Sequence, residues 1–186
     1  MRIETSWLVL QFFMNNKSLV FRGITQPTEI LSQLQTGQLL RVKGCRSSGL
    51  IICHRHHSEL AGPGAAVGGV FDLKCSRVIP IGRVSIVYPE TYPERRQAYV
   101  LRQRWMLFTQ KAMESWVPLQ RAKRLLLMLD QYFDPQLIDE LPDEVLAQLI
   151  GVLPKTIGMM RQTLQSQREN KSQAPQVNDS LLNSTF

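Results

Sequence analysis

Between Leu141 and Gln167 the sequence LPDEVLAQLIGVLPKTIGMMRQTLQSQ admits few folds, because its small and apolar residues fall where two short helices meeting at a tight turn need them. Asp143 is suited to N-cap a first helix with Pro142 just outside it, and Gly151 to end that helix in the left-handed region. Pro154 then opens a second helix, since its missing N–H would have no intrahelical partner at a first position. Ala147 is small where the helices would cross. Around it Leu146, Ile150, Val152, Ile157 and Met160 fill the wedge, with no charged residue among them. The pattern reads as a helix-turn-helix; the plainer alternative is a helical hairpin with a glycine turn.

With 186 residues, 44% of them hydrophobic, the chain can build one sizeable core or two small domains. Its net charge of +7 is compatible with a polyanionic partner and equally with simple solubility. The three cysteines, Cys45, Cys53 and Cys75, are odd in number and widely spaced with no C-x-x-C, which indicates neither a disulfide framework nor a cysteine-based zinc site. Trp7–Met14 is too short an apolar run for a bilayer, which needs about 20 residues, and it lacks the flanks of a secretory signal. A cytoplasmic protein without a membrane partner is therefore expected.

Upstream of Pro89, short apolar runs punctuated by Gly, Pro, Asn and Ser favour strands: Leu19–Phe21, Leu39–Val42, Leu50–Cys53, Val67–Leu73 and Val84–Tyr88. Glu29–Leu34 reads as a short helix or turn, and Asn15-Asn16, Arg46–Gly49 and Gly62-Pro63-Gly64 as loops. The expected fold class is α+β, with a small N-terminal β roll followed by helices. From Glu94 to Trp116 neither Gly nor Pro interrupts a long helix. Ala98, Leu101, Trp105, Phe108 and Ala112 are spaced 3, 4, 3 and 4 along it, with Arg95, Arg96, Arg102, Arg104 and Lys111 largely outside that seam. Such a seam suits a symmetry mate; the alternative is that it packs on the β unit of its own chain.

Pro118 begins another helix, whose apolar stripe Leu119, Ala122, Leu125, Leu126, Leu129 and Phe133 faces a core. Arg121, Lys123 and Arg124 lie off it, as a phosphate-facing patch or as ordinary solvated charges. Asp134–Glu140 reads as a connecting loop. Beyond Gln167 the polar RENKSQAPQVNDSLLNSTF is expected to be disordered.

In order of elements the chain resembles the cyclic-AMP receptor protein/FNR family of bacterial transcription regulators, most closely from Leu119 to Gln167, where LQRAKRLLLML and EVLAQLIGVLPKTIGMM match the family's first DNA-domain helix and helix-turn-helix. The resemblance implies a cyclic-nucleotide-binding-like β roll over residues 1–92, a dimerisation helix over 93–117, a DNA-binding domain over 118–167 and a tail over 168–186. It implies a homodimer joined through Ala98, Leu101, Trp105, Phe108 and Ala112. Double-stranded DNA would be the partner, read by Pro154–Leu164 through Lys155, Thr156 and Gln162, and RNA polymerase or another regulator a further one. Where the family commonly has Ser-Arg-Glu-Thr and then Arg, this chain has Leu-Pro-Lys-Thr and then Met159. The alternative function is accordingly a dimeric protein-interaction adaptor on the same scaffold. LAGPGAAVGGVFDL lacks the Gly-Glu and Arg-Ser/Thr-Ala of the family's phosphate cassette, so no cyclic nucleotide is expected.

All three histidines lie in CHRHHSE, and His54, His56 and Glu59 are similar to the first metal-binding motif of cupins. No later histidine completes the set, so no metal cofactor is expected. Cys53 and His54 would point to opposite faces of a strand, and G-x-S-x-G, Walker and G-x-G-x-x-G motifs are absent, so no enzyme is expected.

Overall fold

A computed structural model describes residues 24–45 and 47–172. It is mixed α+β. Helix α1 (Pro27–Gln35) begins with a proline and buries Ile30 and Leu34, one turn apart. Strands β1 (Leu39–Gly44), β2 (Gly49–Cys53), β3 (Ser58–Ala61), β4 (Ala66–Gly68), β5 (Arg77–Ile81) and β6 (Val84–Val87) follow. They form two three-stranded antiparallel sheets, ordered β4-β1-β6 and β3-β2-β5. Leu40, Val42 and Ile86 of the first sheet meet Leu50 and Ile52 of the second, and α1 adds Ile30 and Leu34 to that core. The other face of β2 is covered by the helices: Ile51 and Cys53 pack into the helical half.

Five further helices follow among the described residues: α2 (Tyr92–Met113), α3 (Pro118–Tyr132), α4 (Pro135–Asp139), α5 (Asp143–Ile150) and α6 (Pro154–Ser172). Thr91 and Glu94 form a reciprocal capping box at the start of α2, and prolines open α3, α4 and α6. Leu125, Leu129, Leu146 and Ile157 are fully buried in one apolar cluster with Ile51, Leu60 and Ile81, so the helices share a core with the second sheet.

Several expectations need correcting. The seam Ala98, Leu101, Trp105, Phe108 and Ala112 is turned inward: Ala98 and Ala112 are buried within this chain, while Leu101, Trp105 and Phe108 pack against its cores. Trp105 lies so close to Gly62 that a Cβ there would fall 2.0 Å from the indole, which explains that glycine as a site of close approach. Arg102, expected outside the seam, is buried beside it. Val67–Leu73 is not one strand, because Gly68 and Gly69 turn the chain and Val70 and Phe71 are exposed. Asp143 does not N-cap α5; Pro142 occupies that position, and the Asp143 carboxylate instead pairs with Arg161 Nε at 3.0 Å. The loop expected at Asp134–Glu140 contains α4, with the Asp134 carboxylate accepting from the Gln136 N–H. Nor does the second helix of the pair stop at Leu164. Nothing breaks the helix before Ser172, and Arg168 pairs with Asp130 of α3. The strand at Leu19–Phe21, the run Trp7–Met14, the loop residues Asn15, Asn16 and Arg46, and the tail after Ser172 lie outside the described residues.

Candidate nucleic-acid interface and a buried charge cluster

The α5–α6 unit is held by apolar packing and by one arginine. Gly151 sits at φ +62°, its N–H bonded to Ala147 O, and Val152 N–H donates to the same carbonyl at 3.1 Å. Leu146, Ala147, Ile150, Ile157 and Met160 are buried, and Val152 is half-buried. Arg161 of α6 reaches back across the wedge, donating to the carbonyls of Asp139 (2.6 Å), Leu141 (2.7 Å) and Ile138 (3.1 Å). Its cation thus meets the carbonyl end of α4 and the carboxylate that begins α5. Sequence reading misses Arg161, since a residue this far along the helix carries no local signal of its partners.

On the opposite face of α6, Lys155 and Gln162 are exposed and Thr156 is half-buried. The Thr163 and Ser166 hydroxyls bond to carbonyls one turn back, at Met159 and Gln162. Leu153 (73% exposed) and Met159 (51%) interrupt this surface. Of the basic residues on α3, Arg121 donates to Ser115 O at 2.6 Å and Arg124 is exposed.

A second constellation lies where α2 meets the second sheet. Arg102 is only 7% exposed and Asp72 wholly buried. The guanidinium holds Asp72 in a bidentate pair, both bonds at 2.9 Å, and donates to Glu59 Oε2 at 2.5 Å and Ala66 O at 2.9 Å. Asp72 also accepts the Gly68 N–H at 2.6 Å. Burial acts to raise the Glu59 pKa, but the Arg102 guanidinium outweighs it and holds the carboxyl below its usual range. Burial, with the neighbouring His57, pushes the His54 pKa down. The imidazoles of His54 and His57 stack at 4.6 Å, and His57 Nε2 lies 3.3 Å from Glu59 Oε1. His56, expected to share a strand face with His54, is exposed on a turn, where the alternation of a strand does not apply.

Helix α2 also has an outer apolar face that sequence reading did not single out. Tyr92, Tyr99, Met106 and Met113 recur at every seventh residue and are all exposed, with Val100 and Leu107 beside them. At its N-terminal end a hollow of about 530 Å³ opens between Leu39, Arg96, Tyr99 and Val100.

Compared with protein-family models, curated proteins and solved structures, the chain matches none. Among the described residues no helix is long and apolar enough to cross a membrane.

Proposed function

We propose that this chain is a cytoplasmic, homodimeric DNA-binding transcriptional regulator, a divergent relative of the cyclic-AMP receptor protein/FNR family, with α6 as its recognition helix. One observation carries the reading. The α5–α6 unit locks its helices through an uncharged wedge and Arg161, leaving Lys155 and Gln162 free to face a ligand and Thr156 beside them. As a helix-turn-helix, it would lay the start of α6 along base edges in the major groove. Lys155 would donate to guanine and Gln162 would bond to adenine, while the overall positive charge favours approach to the phosphate backbone.

For the homodimer, the inward seam is unsuited and the outer face of α2 takes its place. A heptad of Tyr92, Tyr99, Met106 and Met113 is matched by the same repeat in a second copy. Two such chains would present their α6 helices to half-sites about 34 Å apart.

Exposed Leu153 and Met159 favour the second reading, a dimeric adaptor whose α6 contacts RNA polymerase or another regulator rather than DNA. Titration of the purified protein against promoter and random duplexes at two salt concentrations separates the readings. Preference for a promoter sequence, weakening as salt rises, supports the regulator; no binding at low salt removes it. Light scattering of a Tyr99→Glu/Met106→Glu variant tests the dimer, with the mass of a monomer expected.

A further inference from the structure

We propose that His54, His57 and Glu59, gathered at the tip of the β2–β3 hairpin, bind one divalent transition-metal ion of the zinc type. The inference is independent of DNA binding and involves a different part of the chain.

The hairpin builds the site locally. Cys53 pairs with Ser58, and the His54 N–H donates to His57 O at 2.8 Å, closing a turn that brings the two imidazoles side by side with their rings 11° from parallel. Ligand atoms of His54, His57 and Glu59 all lie within 4.8 Å of one another. Two donors bonded at about 2.0–2.1 Å to a tetrahedral ion stand about 3.3–3.4 Å apart. His57 Nε2 and Glu59 Oε1 are already at 3.3 Å.

His54 supplies the more telling observation. Its side chain is 10% exposed, and among the described residues its buried Nε2 has no hydrogen-bond partner; the nearest carboxylate oxygen there, Asp72 Oδ1, is 3.7 Å away. A buried nitrogen without a partner carries a desolvation cost that coordination would relieve. Glu59 is oriented for the task. Arg102 holds Oε2, leaving Oε1 on the histidine side, as outer partners orient ligating carboxylates elsewhere. The two carboxylates Glu59 and Asp72 against the single guanidinium of Arg102 leave one negative charge at the cluster, which suits a cation. Two imidazoles and one carboxylate select zinc, iron or manganese over calcium or magnesium, and three protein ligands leave a fourth position for water or an exogenous ligand. His56 takes no part, so this set differs from the one that strand alternation suggests.

Calorimetric titration of metal-free, reduced, full-length protein with zinc chloride tests the proposal, with cobalt(II) absorption as an independent readout of the ligand field. One ion per chain is expected. His57→Ala changes a side chain that is 58% exposed and so leaves the fold intact, and it should weaken binding by at least the roughly 10–100-fold that loss of an outer partner costs at metal sites. His56→Ala should bind like the unaltered protein. Absence of binding by the unaltered protein overturns the assignment, as does His57→Ala binding equally well or His56→Ala losing as much.

Discussion

The wedge between α5 and α6 and the cluster around Arg102 are both buried, but they are stabilised in opposite ways. In the wedge the buried side chains are apolar, they lie within fifteen residues of one another, and the helical period brings them together, with Arg161 tying α6 to the Leu141 carbonyl beside them. The Arg102 cluster instead joins a helix, a hairpin and the loop after β4, and its charges are tolerable only together. Loss of a wedge methylene is a local matter. Loss of one charge exposes the others to an interior that cannot solvate them.

The largest effect is therefore expected at Arg102. Arg102→Ala leaves Asp72 fully buried without its bidentate partner, and urea unfolding should show a loss of about 3–5 kcal/mol. Replacing both members, Arg102→Met with Asp72→Leu, should cost less than Arg102→Ala alone, because the wholly buried carboxylate is removed and the charge left unpaired, Glu59, has a side chain 24% exposed to water. Equal losses in the two variants would break the contrast, since packing rather than charge would then dominate both regions. Next comes the wedge. Ala147→Leu overfills the crossing of α5 and α6 and should lower stability by about 1–3 kcal/mol in the same measurement. A loss as large as that of Arg102→Ala would show the wedge to be no more forgiving than the charge cluster.

This contrast also explains what the sequence makes legible. Strands β1, β2 and β6 and all the long helices follow from runs and periods within a dozen residues. By contrast, β5 contains Pro80, which argues against a strand unless it lies at an edge, and among the described residues β5 is an edge strand paired with β2 alone. Strand β3 is four residues long and includes Glu59, whose partner Arg102 lies 43 residues away. In α2 the apolar spacing is real but does not choose between two faces. Ala98, Trp105 and Ala112 face inward because Gly62 leaves room for the indole and Asp72 and Glu59 receive Arg102, neither of which periodicity encodes. The candidate DNA contacts Lys155 and Gln162 are legible as exposed positions because the wedge fixes the rotation of α6. Of the proposed hairpin ligands, His54 and Glu59 are legible in the CHRHHSE run but His57 is not, because a turn replaces the strand that would pair His54 with His56.

A smaller effect is expected where the two regions touch. The Ser58 hydroxyl, on β3, donates to Gln148 Oε1 of α5 at 2.9 Å. Ser58→Ala should cost only about 0.5–1.5 kcal/mol by urea unfolding, since Gln148 can turn to solvent. A loss near that of Arg102→Ala would mean that the regions act as one unit and are not separable.

Thiol chemistry reads the same contrast without altering the fold. Cys75 is buried next to Asp72; burial and that carboxylate push its pKa up to about 11. Cys45 is exposed, and hydrogen bonding from Ser47 lowers its pKa. Because the thiolate is the nucleophile, alkylation rises as pH passes each pKa. Cys45 should thus react with iodoacetamide below the ordinary thiol range, while Cys75 stays unmodified at pH 8 and reacts only in denaturant. Mass spectrometry of peptides carrying each cysteine measures both rates in one sample. Protection of Cys75 depends on the Asp72 pocket remaining closed, whereas Cys45 reports only reagent and pH. Rapid labelling of Cys75 at pH 8 in the native protein would mean that the charge cluster opens on the timescale of alkylation. The wedge would then be the more rigid region, although its contacts individually carry less energy.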